Sequence, residues 1–370
     1  MTSLVSIVIP TFNESTNIPQ LFREIRKHLS ELRYEVVLVD DNSPDKTWLV
    51  AIEEMIEQGI NGIVVRRLGM RGLATAVLDG IMMSKGEYSV IMDADLQHPP
   101  EYVSKLVEAI TNNSCDIAIA SRYMPGGSVV GWSRVRKLIS KAATLVAKLL
   151  LPEARKISDP MSGFFAVRRA LVAKSRDKLN PIGYKILLEI LSRAEPRCVI
   201  EVPYIFKPRA SGKSKLGLKQ MIYFLLHVLT LSGWRPVKFA LVGLAGTAVN
   251  LATLVALSII APILTSRLFI LGSAIAIEVS TLFNFSLHEH WTFRDRRVGK
   301  SLARLLRFHL SVAPAIATQY LVANALKYLL NANPVLAQFV GIVLGFLVNY
   351  ILSELKVWKG RKLEVLRHGS

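Results

Sequence analysis

The chain has 370 residues, a formal net charge of +18 at pH 7 and 51% hydrophobic residues, which is enough for two or three domains. Its mean hydropathy of +0.36 is high for a water-soluble protein. The basic excess shows neither an aromatic-interleaved stripe nor a nucleic-acid motif, which argues against a nucleic-acid partner. Residues 1–230 alternate apolar and charged runs, whereas long apolar segments separated by basic clusters follow Trp234. This segregation predicts a soluble domain followed by a membrane domain.

The cysteines and the N-terminus indicate the compartment. Cys115 and Cys198 form no CxxC pair, so we expect two reduced cytosolic thiols without a metal role. The first apolar run, Leu4–Ile9, has only the length of a strand. We therefore expect no signal peptide.

The first half of the chain alternates predicted strands and helices. Strands are assigned to short apolar runs, and helices to apolar residues at a spacing of three to four. Because this alternation favours parallel strands, we expect a mostly parallel sheet with helices on both faces. The predicted strands are 4–9, 34–39, 62–66, 88–92, 116–120 and an edge strand at 198–203, and the predicted helices are 15–31, 47–58, 69–84, 100–112 and 184–193.

Three of these strands end in polar clusters. Thr11–Glu14 follows the first strand, Asp40-Asp41 the second, and Asp93–Gln97 the fourth. The carboxyl ends of parallel strands meet at one sheet edge, where such folds bind nucleotides. No dinucleotide or P-loop motif is present. Gly69–Gly72 is a weak candidate for a phosphate loop, and an ordinary helix start explains it equally well.

The Asp93–Gln97 turn has the ligand types of a divalent-cation site. Two carboxylates at i and i+2 can converge on one hard cation, and the Gln97 amide oxygen adds a neutral ligand, which suits Mg²⁺ or Mn²⁺. Such a cation stabilises a departing diphosphate. A D-x-D pattern alone is common on surface turns. Its place after an apolar strand and beside two other acidic tips favours a metal and the diphosphate of a nucleotide-sugar.

Two later segments have the pattern of interfacial helices. From Arg134 to about 151, apolar residues recur at helical spacing with lysines and arginines between them, which is typical of a helix lying in a membrane interface. Packing of this helix on its own domain is the alternative. A basic loop at 207–215 precedes a second, very apolar helix at 216–231.

The second half contains four apolar segments, each near the roughly 20 residues needed to cross a bilayer. They cover residues 237–262, 268–288, 308–329 and 335–355. Basic clusters follow the second and the fourth, so the positive-inside rule places both termini and the soluble domain in the cytosol. Asn284 and Glu289 recur as Asn349 and Glu354, which predicts two parallel copies of a helical hairpin. Glu278, inside the second segment, is either functional or a structural partner for a neighbouring helix.

The motifs of both halves resemble one enzyme family. The chain resembles the dolichol-phosphate mannosyltransferases, which are polyprenyl-phosphate glycosyltransferases of glycosyltransferase family 2. Its repeated hairpins resemble the GtrA-like membrane domain fused to some members. The matching stretches are 8–14, 39–45, 92–100, 120–123, 136–140, 159–165 and 212–216.

This resemblance implies an α/β GT-A catalytic domain with a Rossmann-like, mostly parallel sheet at 1–233, including the two amphipathic interface helices. It implies a four-helix transmembrane domain of two repeated hairpins at 234–358, followed by a basic cytosolic tail at 359–370. The protein would then be a multi-pass protein of the cell membrane.

The resemblance also implies roles for individual residues. Positions matching donor-binding residues are Pro10, Phe12, Glu14, Val39, Asp41, Asp93, Ala94, Asp95, Gln97, Lys185, Arg209 and Lys215. Positions matching the acceptor-phosphate site are Arg122, Arg136 and Ser140. Asp95 and Gln97 match the metal ligands, and Asp93, Asp95, Gln97 and Arg122 form the catalytic set. Phe12 stands where many members have Tyr, so we expect stacking on the nucleoside without a hydroxyl contact.

The implied reaction is transfer of mannose from GDP-mannose to dolichyl or another polyprenyl phosphate, with inversion, giving dolichyl β-D-mannosyl phosphate. A phosphate monoester has a second pKa of about 6, so it is largely ionised at neutral pH and needs no general base. His98 follows the metal motif without an assigned role. Three alternatives stay open: a UDP-glucose-dependent polyprenyl-phosphate glucosyltransferase, a translocase of lipid-linked sugar through the membrane domain, and a membrane domain that is purely a structural anchor. The residues do not decide between Mg²⁺ and Mn²⁺, and they leave the oligomeric state open.

Overall fold

The structure is a computed structural model that describes residues 3–208, 217–264, 269–297, 299–330, 334–358 and 363–367. The chain divides into two compact units. The first consists of Met1–Leu231 and Lys362–Ser370, and the second of Ser232–Arg361.

The first unit is built on strands flanked by helices. The strands are β1 (Val5–Thr11), β2 (Tyr34–Asp40), β3 (Gly62–Arg66), β4 (Tyr88–Ile91), β5 (Ile117–Ser121), β6 (Ser128–Val129), β7 (Phe165–Arg168), β8 (Cys198–Pro203), β9 (Ile205–Phe206) and β10 (Glu364–Arg367). The helices are α1 (Ile18–His28), α2 (Thr47–Gln58), α3 (Leu73–Met83), α4 (Glu101–Asn112), α5 (Arg134–Leu150), α6 (Arg169–Lys174), α7 (Ile186–Arg193) and α8 (Leu218–Leu231).

Eight of the strands form one sheet in the order β10-β8-β5-β7-β4-β1-β2-β3, and β6 pairs with β9. Every pair in the large sheet is parallel except the two pairs that β7 makes, with β4 and β5. The predicted mostly parallel sheet is therefore confirmed. β7 is the exception that the α/β alternation did not reveal.

Alternate residues of β1 bury into the two faces of the sheet, as expected when helices cover both. Ile7 and Ile9 join the core that contains α1 and α4 residues, whereas Val8 joins the core of α3 and α7 residues. α3 lies close to the sheet at Gly80. A Cβ at this position would lie only 2.4 Å from Val8 Cγ1, so a larger residue would not fit without a shift. Both faces of the sheet are thus buried, so a ligand can reach the sheet only at its edge.

The C-terminal end of the chain differs from the sequence prediction. The composition predicts a basic tail at 359–370, but Glu364–Arg367 form β10, which runs parallel beside β8. β8 consequently has a neighbour on both sides and is not the predicted edge strand. The four residues of β10 are too few to give a readable alternation, and their partner lies far away in the sequence.

The prediction of two reduced cysteines is wrong. Cys115 and Cys198 form a disulfide bond, and their Cα atoms lie 4.7 Å apart. Cys115 precedes β5 and Cys198 begins β8, and these two strands are parallel neighbours. The 83-residue separation hides this proximity, because only the strand order creates it.

The second unit is helical. It contains α9 (Arg235–Ile260), α10 (Phe269–Leu287), α11 (Ser301–Leu329) and α12 (Pro334–Leu352). α9 packs against α10, and α11 packs against α12. Among the described residues, α9 alone has both the length and the apolar composition needed to cross a bilayer.

The two halves of this second unit are linked through the repeated glutamates. Glu289 lies in a π-helical turn after α10, and Glu354 lies in an equivalent turn after α12. Arg304, in α11, donates to Glu289, and Arg296 donates to Glu354. Both carboxylates are buried, so each is paired as a buried charge must be. Glu278 lies 3.1 Å from the Nε2 of His309, which gives it a partner on the neighbouring helix.

Candidate active site

The strand order brings the predicted polar tips together. β1 lies between β2 and β4 and is parallel to both, so their carboxyl ends share one edge. Thr11 Oγ1 donates to Asp40 Oδ2 at 2.9 Å, and the Ser43 amide donates to Asp40 Oδ1 at 2.8 Å. Asp40 is therefore a structural carboxylate that ties the β1 and β2 tips. Pro10 and Val39 are opposite each other in the register, and both are buried.

Asp41, a predicted donor-binding residue, is held by a buried arginine. Arg67 Nε donates to Asp41 Oδ1 at 2.7 Å, and the Gly72 amide donates to Asp41 Oδ2 at 2.7 Å. Arg67 also reaches Asp79 Oδ2 at 3.0 Å. Sequence reasoning missed Arg67, whose only signal is its position directly after β3. These contacts fix the Asp41 carboxylate at the sheet edge.

The Gly69–Gly72 segment lies beside Phe12. The guanidinium carbon of Arg71 is 5.0 Å from the centre of the Phe12 ring, within cation–π range. The Glu14 amide donates to Thr47 Oγ1 at 2.9 Å, which fixes the loop after β1. The weak phosphate-loop candidate thus lies beside the loop that follows β1.

The Asp93–Gln97 turn is compact and largely buried. Asp95 is 4% exposed and Gln97 is 7% exposed, and Ala94 is buried with the core. The backbone amide of Gln97 donates to Asp95 Oδ1 at 3.1 Å, and Leu96 has a φ of 61°. The left-handed conformation of Leu96 reverses the direction of the chain. Asp95 and Gln97 therefore lie in the same tight turn.

The side-chain oxygens of this turn are of the type that bind a divalent cation. Gln97 Nε2 donates to the carbonyl of Lys207 at 3.2 Å, which leaves Oε1 as the amide atom able to face a metal. A carboxylate and an amide oxygen suit Mg²⁺ or Mn²⁺, and such ions complete their shell with water and substrate phosphate. Among the residues that the structure describes, no group of three or more His, Cys, Asp or Glu side chains has the arrangement of a metal site.

His98 lies beneath the turn. Its Nδ1 accepts a hydrogen bond from the Asp93 amide at 2.9 Å, and its ring stacks on Phe164 at 5.1 Å. Burial lowers the pKa of His98 to about 4. The imidazole is therefore neutral at neutral pH and is a poor candidate for a cationic phosphate ligand.

Lys185 lies within electrostatic range of Asp93, Asp159 and Arg122. It precedes α7, and its Nζ donates to the carbonyl of Met161 at 2.9 Å. Burial, followed by the charge of Arg122, lowers the pKa of Lys185 to about 8, while Asp159 and Asp93 act in the opposite direction. The structure thus brings Lys185, Asp93 and Arg122 within electrostatic range of one another.

Arg122 is held by a buried carboxylate. Its Nε and Nη2 donate to Asp159 Oδ2 and Oδ1 at 2.6 and 2.8 Å. Burial lowers the pKa of Arg122, whereas the charge and hydrogen bonds of Asp159, together with Tyr204 and Tyr123, raise it. The net shift of the pKa is upward, so the guanidinium stays charged. Glu201, fully buried in β8, accepts from the Ser158 and Asp159 amides at 2.8 and 3.1 Å. Asp159 begins the matching stretch 159–165 but had no assigned role, and Glu201 is a supporting residue that sequence reasoning did not identify.

The other two residues predicted for the acceptor site lie near Arg122. Arg136, on α5, has its guanidinium carbon 4.3 Å from the centre of the Trp132 ring, and that of Arg122 is 5.6 Å from the same ring. Ser140 Oγ accepts a hydrogen bond from the hydroxyl of Tyr123 at 2.8 Å. The structure therefore brings Arg122, Arg136 and Ser140 into one group. Arg209 and Lys215 lie outside the described residues.

Two family descriptions match the chain: "Glycosyl transferase family 2" over residues 6–176 and "GtrA/DPMS, transmembrane domain" over residues 238–358. The chain is 43% identical over 362 residues to a dolichol-phosphate mannosyltransferase of Pyrococcus furiosus, covering 96% of this chain and 99% of that protein. It is 37% identical over 230 residues to a dolichol-phosphate mannosyltransferase of Saccharomyces cerevisiae, covering 60% of this chain and 84% of that protein.

A solved structure with similarity to the chain is glucosyl-3-phosphoglycerate synthase from Mycobacterium tuberculosis in complex with Mn²⁺, UDP-glucose and phosphoglyceric acid. Its TM-score is 0.47 at 20% identity, covering 62% of this chain and 80% of that chain.

Proposed function

Because the chain belongs to the dolichol-phosphate mannosyltransferase family, we propose that it transfers mannose from GDP-mannose to dolichyl or another polyprenyl phosphate. The anomeric centre is inverted, which gives a β-linked mannosyl phosphate. The observation that carries this proposal is the meeting of the acidic Asp93–Gln97 turn with the cationic pair Arg122 and Arg136 through Lys185. A nucleotide diphosphate and a lipid phosphate need these two kinds of surface side by side.

The donor lies at the edge formed by β1, β2 and β4. The nucleoside stacks against Phe12 at the ends of β1 and β2, next to the paired residues Pro10 and Val39. Glu14 and the fixed carboxylate of Asp41 face its polar edge. Asp93 and Ala94 line the ribose and diphosphate, and Lys185 supplies a positive charge. Arg209 and Lys215 complete the donor side in this proposal.

Asp95 and Gln97 would hold the divalent cation. When bound, Mg²⁺ or Mn²⁺ neutralises charge on the departing diphosphate. The buried, hydrogen-bonded turn supports this assignment, because a preorganised pair of oxygen ligands costs little reorganisation at the moment of reaction.

The acceptor phosphate binds to Arg122, Arg136 and Ser140. Arg122 is itself fixed by Asp159, so it presents charge in a set orientation, and the guanidinium fork suits a phosphate. The phosphate oxygen is already ionised and attacks the anomeric carbon directly. The neutral, enclosed imidazole of His98 has no part in proton transfer in this scheme.

The second unit anchors the enzyme in the membrane in this proposal. We infer that α9 to α12 cross the bilayer as two repeated hairpins. The basic segment between α10 and α11 then lies in the cytosol with the first unit. α5 carries an exposed apolar face that includes Leu138 and Leu145, at 69% and 58% exposure, which suits a helix in the interface near a lipid phosphate.

Product analysis tests the proposal. The full-length protein in detergent is given radiolabelled GDP-mannose or UDP-glucose with a polyprenyl phosphate, and the lipid product is extracted. We expect mannose in an acid-labile lipid phosphate of β configuration, dependent on Mg²⁺ or Mn²⁺. Transfer from UDP-glucose in preference to GDP-mannose would reject the assigned donor, and no lipid product from either donor would reject the reaction.

A further inference from the structure

His98 directly follows Gln97, yet the proposed chemistry gives it no task. Its side chain is enclosed, with 2% of the residue exposed. Phe164 stacks on one face of the ring at 5.1 Å, and Tyr204 and Phe206 meet it edge-on at 6.2 and 5.8 Å. The imidazole therefore cannot swing away from the turn above it.

The hydrogen bond to Asp93 fixes the tautomer of this ring. A backbone amide can only donate, so Nδ1 of His98 is the acceptor, and the proton lies on Nε2. The preceding amide, that of Met92, still donates to Val8 in β1 at 3.1 Å. Asp93 is thus the residue at which the chain leaves the sheet, and His98 supplies the acceptor that the sheet no longer offers.

This bond closes the turn that carries the proposed metal ligands. Between its two ends lie Asp95, Gln97 and the left-handed Leu96, with a φ of 61°. A turn that contains such a residue persists only when its surroundings over-determine it. Gly163 backs the arrangement, because a Cβ there would lie 3.2 Å from His98 Cε1 and 3.7 Å from Asp93 Oδ2.

We propose that His98 is a positioning residue of the donor site. Its Nδ1 holds the Asp93 amide and thereby sets the directions of Asp95 and Gln97 toward the cation. This inference rests on the proposed donor site, but it concerns the geometry of the turn and not the sugar that is transferred.

The test compares His98→Phe, His98→Asn and His98→Gln in the full-length protein. Phe fills the aromatic space without an acceptor, Asn places an amide oxygen near the position of Nδ1, and Gln places one near Nε2. Binding of Mn²⁺ in the presence of GDP is measured by electron paramagnetic resonance of the unbound ion, and kcat and KM are measured for both substrates. The matched control is His28→Phe, a surface histidine on α1 whose side chain is 29% exposed.

We expect His98→Phe to weaken Mn²⁺ binding roughly 10- to 100-fold, the usual effect of removing a residue that orients metal ligands. kcat should fall with it, while the KM for polyprenyl phosphate stays unchanged. His98→Asn should recover most of the Mn²⁺ affinity, and His28→Phe should bind Mn²⁺ like the unchanged protein.

Unchanged Mn²⁺ affinity in His98→Phe would overturn the inference, as would equal losses in the Phe and Asn variants. If His98→Phe does not fold, Asn and Gln decide: tighter binding by the Asn variant supports the role of Nδ1, and equal or weaker binding refutes it. Because Mn²⁺ and GDP binding needs no acceptor lipid, this result stands apart from the transfer assay. If the protein without substitutions fails to transfer mannose, the proposed function is rejected. The comparison of the His98 variants can still be interpreted in that case.

Discussion

On the proposed donor side of the candidate active site, the carboxylate of Asp41 is held by N–H donors, whereas on the proposed acceptor side the guanidinium of Arg122 is held by a carboxylate. Arg67 and the Gly72 amide grip Asp41, while Asp159 grips Arg122. A phosphate can bind directly to the acceptor side. A diphosphate is repelled by the carboxylates of the proposed donor side, so a cation there should favour its binding. Metal dependence should therefore be confined to the proposed donor side.

Asp95→Ala should break the donor side with the largest effect. Without this carboxylate ligand, the cation that would neutralise the leaving diphosphate is held less tightly, and we expect kcat to fall roughly 10²- to 10³-fold. Binding of the polyprenyl phosphate should not change. Transfer of radiolabelled mannose and lipid binding are measured on the same preparation. The control is Asp177→Ala, at an exposed position on a short helical turn. Normal metal-dependent turnover by Asp95→Ala would contradict the assignment of Asp95 as a metal ligand.

Two arginine substitutions should separate the sides. Arg136→Ala removes a charged donor for the acceptor phosphate, so the KM for polyprenyl phosphate should rise roughly tenfold or more, with the KM for GDP-mannose unchanged. Arg67→Lys loses the guanidinium fork that holds Asp41. In this variant the KM for GDP-mannose should rise, and the KM for polyprenyl phosphate should stay unchanged.

Steady-state kinetics with each substrate varied in turn measures this crossed pattern. Arg66→Lys is the matched control for Arg67→Lys, because Arg66 is exposed and adjacent in the chain. If both variants raise the same KM, the division into donor and acceptor sides is incorrect.

The parts of this site that sequence reasoning found are those that one stretch of chain specifies by itself. β1, β2 and β4 are continuous apolar runs that each end in polar residues, so the shared edge follows from parallel pairing alone. The Asp93–Gln97 turn carries its ligand types within five positions, and α5 carries its basic, apolar-faced pattern within one helix. Their roles in binding came from the resemblance to a family and remain predictions.

What sequence reasoning missed depends on partners far apart in the chain. Asp41 and Arg67 are 26 residues apart, and Arg122 and Asp159 are 37 apart, and neither spacing has a local period. β7 and β10 have four residues each, too short for their alternation to stand out. The Cys115–Cys198 bond has the same cause, since it depends on β5 and β8 being neighbours. The strand order decides these features, and the α/β alternation leaves that order open.

The pH dependence of donor use should show the smallest effect and concerns Lys185, where the two sides meet. Burial and the charge of Arg122 lower its pKa to about 8, so in the free enzyme the ammonium is present below pH 8 and is lost as the pH rises through this value. Because kcat/KM reports groups of the free enzyme, kcat/KM for GDP-mannose should fall above about pH 8. A bound diphosphate favours the charged ammonium, so kcat should hold to higher pH.

Lys185→Arg should abolish the fall in kcat/KM, since a guanidinium keeps its proton throughout this range. The control Lys178→Arg, at a side chain that is 66% exposed, should leave the fall in kcat/KM in place. A fall that persists unchanged in Lys185→Arg would assign the titration to another group and would remove Lys185 from the contact between the two sides.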